Sequence, residues 1–361
     1  MYSPKYTITN KLLKQIGVIE AAKEIVTSAP LVPAWEAKFR EEALVRSVHY
    51  GTHIEGNNLN LSEAARVLSG QTIVGRERDI QEVLNYRNVL KYTEEFHNRS
   101  QEQERKLTLE VVKKLHKLTV EKILSTEQCG VFRTTQVVVK NSATGEVSFR
   151  PPVAVEVPFL LENLLYWLND KDTQDVHPVL RAGITHYEFV RIHPFVDGNG
   201  RVARALATLV LFLGGYDIKR FFSLEEHYDH DAESYYKALQ SVDHRIIESE
   251  HSGDGDLTYW LEYFTEGLAI ELTRIKERVQ KLSVDIKMKE NLGGHQIALN
   301  ERQLKMMEYI QQTGFIQSQI FREMFPDYSD DTILRDLKDL IEKGVLKKEG
   351  ATKSARYVLI K

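Results

Sequence analysis

Apolar residues recur at helical spacing through most of the first hundred positions. Leu12, Leu13, Ile16, Val18 and Ile19 mark one segment, and a second runs over 35–54 beyond the proline-rich break Ala29-Pro30-Leu31-Val32-Pro33. Gly56-Asn57-Asn58 ends that second helix in the manner of a glycine C-cap, and Leu61-Ser62-Glu63 opens a third with Ser62 as its N-cap. Over 131–150 the period changes: Val137-Val138-Val139 and Val147-Ser148-Phe149 flank the turn-rich run Asn141-Ser142-Ala143-Thr144-Gly145. This predicts one β-hairpin, ended by Pro151-Pro152. Helical spacing then returns over 158–170, 177–192, 202–214, 233–247 and from about 257 to 288.

The run Asn291-Leu292-Gly293-Gly294-His295 is the best linker candidate in the chain. Beyond it, helical segments at 301–312, 318–325 and 329–343 precede two β-prone segments at 344–348 and 355–360. Three helices followed by a hairpin is the order of a winged helix-turn-helix. The expected fold class is therefore mainly α, with one β-hairpin flap and a small α+β module at the end.

Composition narrows the function without naming it. The 361 residues are 42% hydrophobic and 28% charged, enough to bury the cores of two or three domains. A single cysteine, Cys129, cannot form an internal disulfide, and the first residues hold no apolar signal core, so a cytoplasmic location is expected. The longest apolar run, near 206–213, is far short of the roughly 18 residues that span a bilayer, and no membrane partner is expected. A net charge of −4 gives no global attraction to nucleic acid, although it permits a local basic patch.

The chemistry concentrates at 193–204. Gly198-Asn199-Gly200 feeds directly into Arg201-Val202-Ala203-Arg204, so a glycine-rich loop delivers a helix N-terminus whose backbone N–H groups suit an anion. Arg201 and Arg204 in that first turn oppose the helix dipole by roughly 0.3–1 kcal/mol each at exposed positions. Two such cations point to a polyanionic ligand. A nucleoside triphosphate with Mg²⁺ satisfies amides and guanidinium groups together, with Asp197 as the hard oxygen ligand and His193 as the proton acceptor. As a P-loop the segment fails, because no Gly-Lys-Ser/Thr follows, and as a calcium loop it fails because Arg201 takes a ligand position. A metal-hydrolase reading through His186 and His193 lacks a third ligand.

The run His193-Pro194-Phe195-Val196-Asp197-Gly198-Asn199-Gly200-Arg201, with Arg204 three residues on, resembles the defining motif of the Fic family. The resemblance extends over about 35–239, including Gly130-Val131-Phe132-Arg133, and the whole chain is similar to Fic proteins carrying a C-terminal winged helix. It implies a protein adenylyltransferase. His193 would be the general base toward a Ser, Thr or Tyr hydroxyl of a target protein or of the chain itself, which attacks the α-phosphate of ATP. Asp197 would hold Mg²⁺. Gly198, Asn199 and Gly200 would form the α-phosphate anion hole, Arg201 and Arg204 would hold the outer phosphates, and Phe195 would be an inward anchor.

Glu55, at the C-terminal end of its helix, is also placed against the dipole, so Glu55 and Arg204 could cancel by pairing. Thr52-His53-Ile54-Glu55-Gly56 resembles the inhibitory segment of some Fic proteins, within a helix expected at about 35–56. The resemblance implies self-inhibition, and in some relatives such a glutamate also supports removal of AMP. The family pattern puts Ser or Thr four residues before the glutamate, whereas Gly51 stands there and Thr52 follows it. The hairpin at 135–150 would position the target, while Tyr235 and Tyr236, flanked by Asp231 and Ala232, match an adenine pocket poorly.

These readings divide the chain into a helical region at 1–105, a catalytic core at 106–290 and a winged helix-turn-helix domain at 296–361. DNA suits the last as a partner, with 329–343 as recognition helix and Lys347, Lys348, Lys353 and Arg356 on the wing. Asp327, Asp330, Asp331, Asp336 and Asp339 on or beside that helix oppose phosphate, so protein recognition or homodimerisation stays equally open. Two functions from different classes stand: an adenylyltransferase, and a DNA-binding transcriptional regulator in which the Fic core is a vestigial sensor. Transfer of another nucleotide or of a phosphoryl group is a third.

Overall fold

The computed structural model describes residues 2–29, 31, 33–99, 105–140, 147–243, 255–282, 299–326, 328–350 and 355–360. The expected hairpin turn at 141–145, the helix continuations at 244–247 and 283–288, the linker at 291–295, Asp327 and Lys353 lie outside these residues. The chain is mostly helical and separates into two compact units. One takes in residues up to Glu24 together with Phe39–Arg274, the other Ile25–Lys38 together with everything from Ile275 on.

The first unit is built from helices α1 (Asn10–Ser28), α2 (Pro33–His53), α3 (Leu61–Leu68), α4 (Glu77–His97), α5 (Leu109–Val120), α6 (Val157–Asn169), α7 (Pro178–Ile192), α8 (Asn199–Leu213), α9 (Leu224–His230), α10 (Ala232–Asp243) and α11 (Thr258–Leu282), the outer turns of α1, α2 and α11 excepted. α3 begins two residues earlier than an N-cap at Ser62 predicts. Asn60 is the N-cap, accepting from Glu63 N while the Glu63 carboxylate accepts from Asn60 N, which satisfies two otherwise orphaned donors. Asparagine won over serine because only position 60 has the glutamate three residues on.

α7 is the central element: from Val179 to Phe189 every residue is buried. Trp260 of α11 donates from Nε1 to the Gly183 carbonyl at 2.7 Å, and α8 packs along α7 after the short connection 193–198. α4 and α5 also pack on α8, so the start of α8 is surrounded by helices that can send side chains to it. Strands β1 (Val139–Lys140) and β2 (Val147–Phe149) pair antiparallel, Val139 opposite Phe149, with a register irregularity after it.

The second unit contains α12 (Glu301–Thr313), β3 (Ile316–Gln317), α13 (Ser318–Met324), α14 (Asp330–Glu342), β4 (Leu346–Glu349) and β5 (Arg356–Leu359). Asn300 and Gln303 form a capping box on α12, and Ser329 caps α14 through Thr332 N. Met306, Ile310, Ile316, Phe321, Leu337 and Tyr357 share one core. The sequence predicts two strands here and the structure has three, in the order β3-β5-β4, because Ile316–Gln317 pairs with Tyr357 and Arg356. Two residues are too few to carry an alternation.

Among the described residues no helix is long and apolar enough to cross a membrane.

Candidate active site

Helix α7 ends at His193, whose φ of 49° is left-handed and turns the chain sharply into 194–198. The ring is part-buried and fixed: Nδ1 lies 3.2 Å from the Val190 carbonyl, so Nδ1 carries the proton and Nε2 keeps its lone pair. Burial holds its pKa below the usual histidine range, more than the nearby Glu55 and Asp197 raise it. At neutral pH this imidazole is a base.

The loop is braced from three sides. Asn199 spends its side chain on the loop itself, Oδ1 accepting from Phe195 N and Nδ2 donating to the Phe195 carbonyl, both at 2.9 Å. Any contribution of Asn199 to an anion hole is therefore through its backbone. Phe195 is fully buried and stacks on His116 with 3.7 Å between ring centroids. His116 of α5 accepts from Gly130 N at Nδ1, donates from Nε2 to the Asp197 carbonyl, and is kept neutral by burial, its pKa lowered to about 4. Arg133, also buried, donates to the carbonyls of His193, Thr135 and Pro152, tying the histidine to the segment that leads into β1.

Gly198 is the N-cap of α8, so the first N–H groups of that helix have no intrahelical partner. Gly198 N itself donates to Asp197 Oδ1 at 2.6 Å. Arg201 and Arg204 are each only 2% exposed. Among the described residues, Nε and Nη1 of Arg201 and Nε of Arg204 are buried without a hydrogen bond. Guanidinium donors left without a hydrogen bond away from water are costly, and a polyanion at the helix terminus would satisfy them.

Carboxylates now face these cations. Glu55 Oε1 accepts from Arg204 Nη2 at 2.8 Å, and the same nitrogen donates to the Gly51 carbonyl at 2.8 Å. A Cβ on Gly200 would collide with Glu55 Oε1, so the carboxylate rests on the bare side of the glycine at the mouth of the cradle. Burial alone would lower the Arg204 pKa, but Glu55 together with Tyr235 and Tyr86 outweighs it, and the guanidinium stays charged. Gly51 is needed for packing, because a Cβ there would collide with the Tyr86 ring. Thr52 Oγ1 bonds back to the carbonyls of Val48 and His49 within its own helix, so neither position offers a hydroxyl to the motif.

Asp197 is one-third exposed at its side chain. Its Oδ2 accepts from Arg78 Nη2 at 3.0 Å and its Oδ1 lies 3.4 Å from Arg201 Nη2. No group of three His, Cys, Asp or Glu that could hold a metal occurs among the described residues. One carboxylate beside a phosphate cradle nevertheless fits Mg²⁺, which is usually held by one or two carboxylates plus substrate phosphates. His186 is fully buried with Nε2 on Tyr235 Oη at 2.9 Å, and its pKa is pushed down to about 3 by burial and Arg204. It is a core histidine, which removes the two-histidine metal reading. Tyr235 is buried beside it and Tyr236 is 43% exposed.

Residues 106–211 match the Fic/DOC family model, and residues 302–353 that of the DeoR-like helix-turn-helix domain. The chain carries a Fic domain. Over 179 residues it is 34% identical to a protein adenylyltransferase Fic of Drosophila grimshawi, covering 49% of this chain but 35% of that protein. The corresponding protein of Drosophila virilis is also 34% identical. The matched segment thus spans about a third of the curated relatives' length. Among solved structures, a Fic family protein from Desulfovibrio desulfuricans G20 shares the fold over 99% of this chain and 98% of its own, with a TM-score of 0.65 at 23% identity. Fic-1 from C. elegans covers 74% of the chain at a TM-score of 0.56.

The Fic motif and Glu55 were legible in the sequence. His116, Arg78 and Glu82 were not singled out; the only signal was a histidine on the apolar face of α5 and an i,i+4 Arg–Glu pair in α4.

Proposed function

We propose that the chain transfers AMP from ATP to a protein hydroxyl and is restrained by Glu55. The observation that carries this reading is the pair of buried arginines with unsatisfied N–H groups at the start of α8, next to a histidine kept neutral with its proton on Nδ1. The Drosophila relatives named protein adenylyltransferases support it.

In this mechanism the backbone N–H groups of the first turn of α8 and the guanidinium groups of Arg201 and Arg204 bind the triphosphate. The target hydroxyl presents its oxygen to the α-phosphorus. His193 Nε2 takes the hydroxyl proton, the new P–O bond forms, the bond to the β-phosphate breaks, and pyrophosphate leaves. A Mg²⁺ held by Asp197 would supply positive charge against the phosphates. Fixed donors and an oriented base act mainly by positioning and charge neutralisation, the base contributing on the order of 10²–10⁴-fold.

Glu55 occupies the mouth of the cradle and takes Arg204, so the productive seat of the outer phosphates is filled by the protein's own carboxylate. The strand pair β1-β2 would hold an extended target segment by main-chain pairing. Removal of AMP is a reverse activity that the same Glu55 would serve, and a cytoplasmic location suits the single cysteine.

Incubation with α-labelled ATP and Mg²⁺ tests the reading. The Glu55→Gly chain should label itself or a target strongly and wild type weakly; absence of label in both, with nucleotide bound, would refute AMP transfer.

For the second unit we propose DNA as a partner, because the acidic residues of α14 are less obstructive than their number suggests. Asp336 is 7% exposed and pairs with Arg302 and Asn300, and Asp339 takes Gln303 and Lys343. The exposed positions include Leu334, Arg335 and Lys338, while the exposed Asp330 and Asp331 are confined to the first turn. A mobility shift that weakens with salt is the expected behaviour. The base, the helix terminus and the carboxylate brought together around His193 favour a working site over a vestigial core.

A further inference from the structure

Helix α4 lies outside the motif, yet two of its side chains reach the motif's ionic groups. Glu82 is buried, and its Oε2 accepts from Asn57 Nδ2 at 3.0 Å. Its Oε1 accepts from Arg78 Nε at 3.0 Å and lies 3.5 Å from Arg201 Nη1. Arg78 is 59% exposed at its side chain, a setting in which an arginine normally samples many rotamers. Here it is gripped twice, by Glu82 at Nε and by Asp197 Oδ2 at Nη2.

The two oxygens of Asp197 are therefore divided. Oδ1 faces inward, to Gly198 N and Arg201. Oδ2 is held by Arg78, the more exposed of the two arginines that face Asp197. A divalent cation held by Asp197 would compete with a guanidinium for the carboxylate. Glu82, fixed by Asn57, would keep Arg78 tethered when that happens.

We propose that Arg78 is a built-in surrogate for the divalent cation: it neutralises Asp197 in the nucleotide-free site and must release it for the cation, so it sets how strongly nucleotide binding depends on that cation. This rests on reading 193–204 as a nucleotide site. Without a cation, Arg78 shields an incoming triphosphate from the Asp197 charge. With a cation present, Arg78 is a competitor. Removing it weakens cation-free binding and leaves binding with the cation equal or tighter, so the ratio of the two dissociation constants rises. An exposed ion pair is worth up to about 1 kcal/mol, so the ratio should rise roughly two- to fivefold.

The experiment measures binding of a fluorescent, non-hydrolysable ATP analogue by anisotropy, in EDTA and in Mg²⁺ at equal ionic strength. It uses the full chain with Glu55→Gly throughout, which clears the cradle. Arg78→Ala should raise the EDTA-to-Mg²⁺ ratio, Arg78→Lys should stay near the parent, and in an Asp197→Asn background Arg78→Ala should leave the ratio unchanged. Equal weakening in both buffers, or no change, overturns the inference while leaving the nucleotide site in place. No analogue binding by the parent in either buffer overturns the nucleotide reading and this inference with it.

Discussion

Replacing Glu55 by glycine should move nucleotide affinity and thermal stability in opposite directions. The carboxylate makes one charge-assisted hydrogen bond to Arg204, a side chain with 2% exposure, while Glu55 itself keeps 25%. Hydrogen bonds to charged groups contribute roughly 1.5–3 kcal/mol, and the partial exposure of Glu55 argues for the lower part, about 1.5–2 kcal/mol. A triphosphate that needs Arg204 must first displace that contact. If the competent state is populated only to the extent the pair opens, apparent affinity falls by the same factor, here roughly ten- to thirtyfold.

The fold loses something in return. Arg204 keeps its bond to the Gly51 carbonyl but has no carboxylate, so the nucleotide-free variant should be less stable by roughly 1–2 kcal/mol, or about 2–4 °C in Tm per kcal/mol. Saturating analogue should restore the loss by mass action. Calorimetric titration with a non-hydrolysable ATP analogue and Mg²⁺, beside thermal melts with and without it, reads both effects. Glu55→Gln, which keeps the shape and an acceptor but not the charge, should fall between. A variant that melts lower yet binds nucleotide no better would mean that Glu55 supports Arg204 structurally and restrains nothing.

Three further outcomes are expected. His193→Ala should abolish transfer while analogue affinity stays within about threefold, and in the Glu55→Gly enzyme the kcat profile should lose rate only as pH falls below the ordinary histidine range near 6.5, because burial depresses the pKa and protonation removes the base; loss of rate beginning well above that value contradicts the assignment. Asn199→Asp removes the donor to the Phe195 carbonyl and adds negative charge beside the cradle, so transfer should fall at least tenfold with unchanged circular dichroism, whereas full activity would show that the Asn199–Phe195 clamp is dispensable. Arg335→Ala and Lys338→Ala should each weaken DNA binding and lower the slope of log affinity against log salt by about one, and unaltered slopes would assign that helix face to another partner.

Local signals carried far where one residue type decides a local geometry. The break before α2, the glycines opening α8 and the linear Fic motif all act through neighbours in the chain, and the sequence exposes them. Partners supplied from distant helices were invisible for the complementary reason. Nothing local says that His116 stacks on Phe195, or that Arg133 spans His193 and Pro152. The acidic look of α14 misled because helical spacing shows which residues share a face but not what lies opposite. Asp336 turns out to face Arg302 and Asn300 on and beside α12. Gly51 departs from the family pattern for a reason that lies in another helix, the close approach of Tyr86 from α4.

The charges around α8 can be weighed together. Arg78, Arg201 and Arg204 face Glu55, Glu82 and Asp197, three cations against three carboxylates, so the charges of this set balance among themselves. A helix N-terminus tolerates two buried arginines only because those anions are already there. A polyphosphate cannot simply be added to such a set; it has to replace part of it. Glu82 is buried and fixed by Asn57, which makes it the costliest to displace. Asp197 is tied through Oδ1 to its own loop. Glu55 follows the last turn of α2 and, among the described residues, is hydrogen-bonded through its side chain to Arg204 alone. Restraint at Glu55 and cation exchange at Asp197 are thus two consequences of one constraint, the need to keep buried guanidinium groups paired in every state of the site.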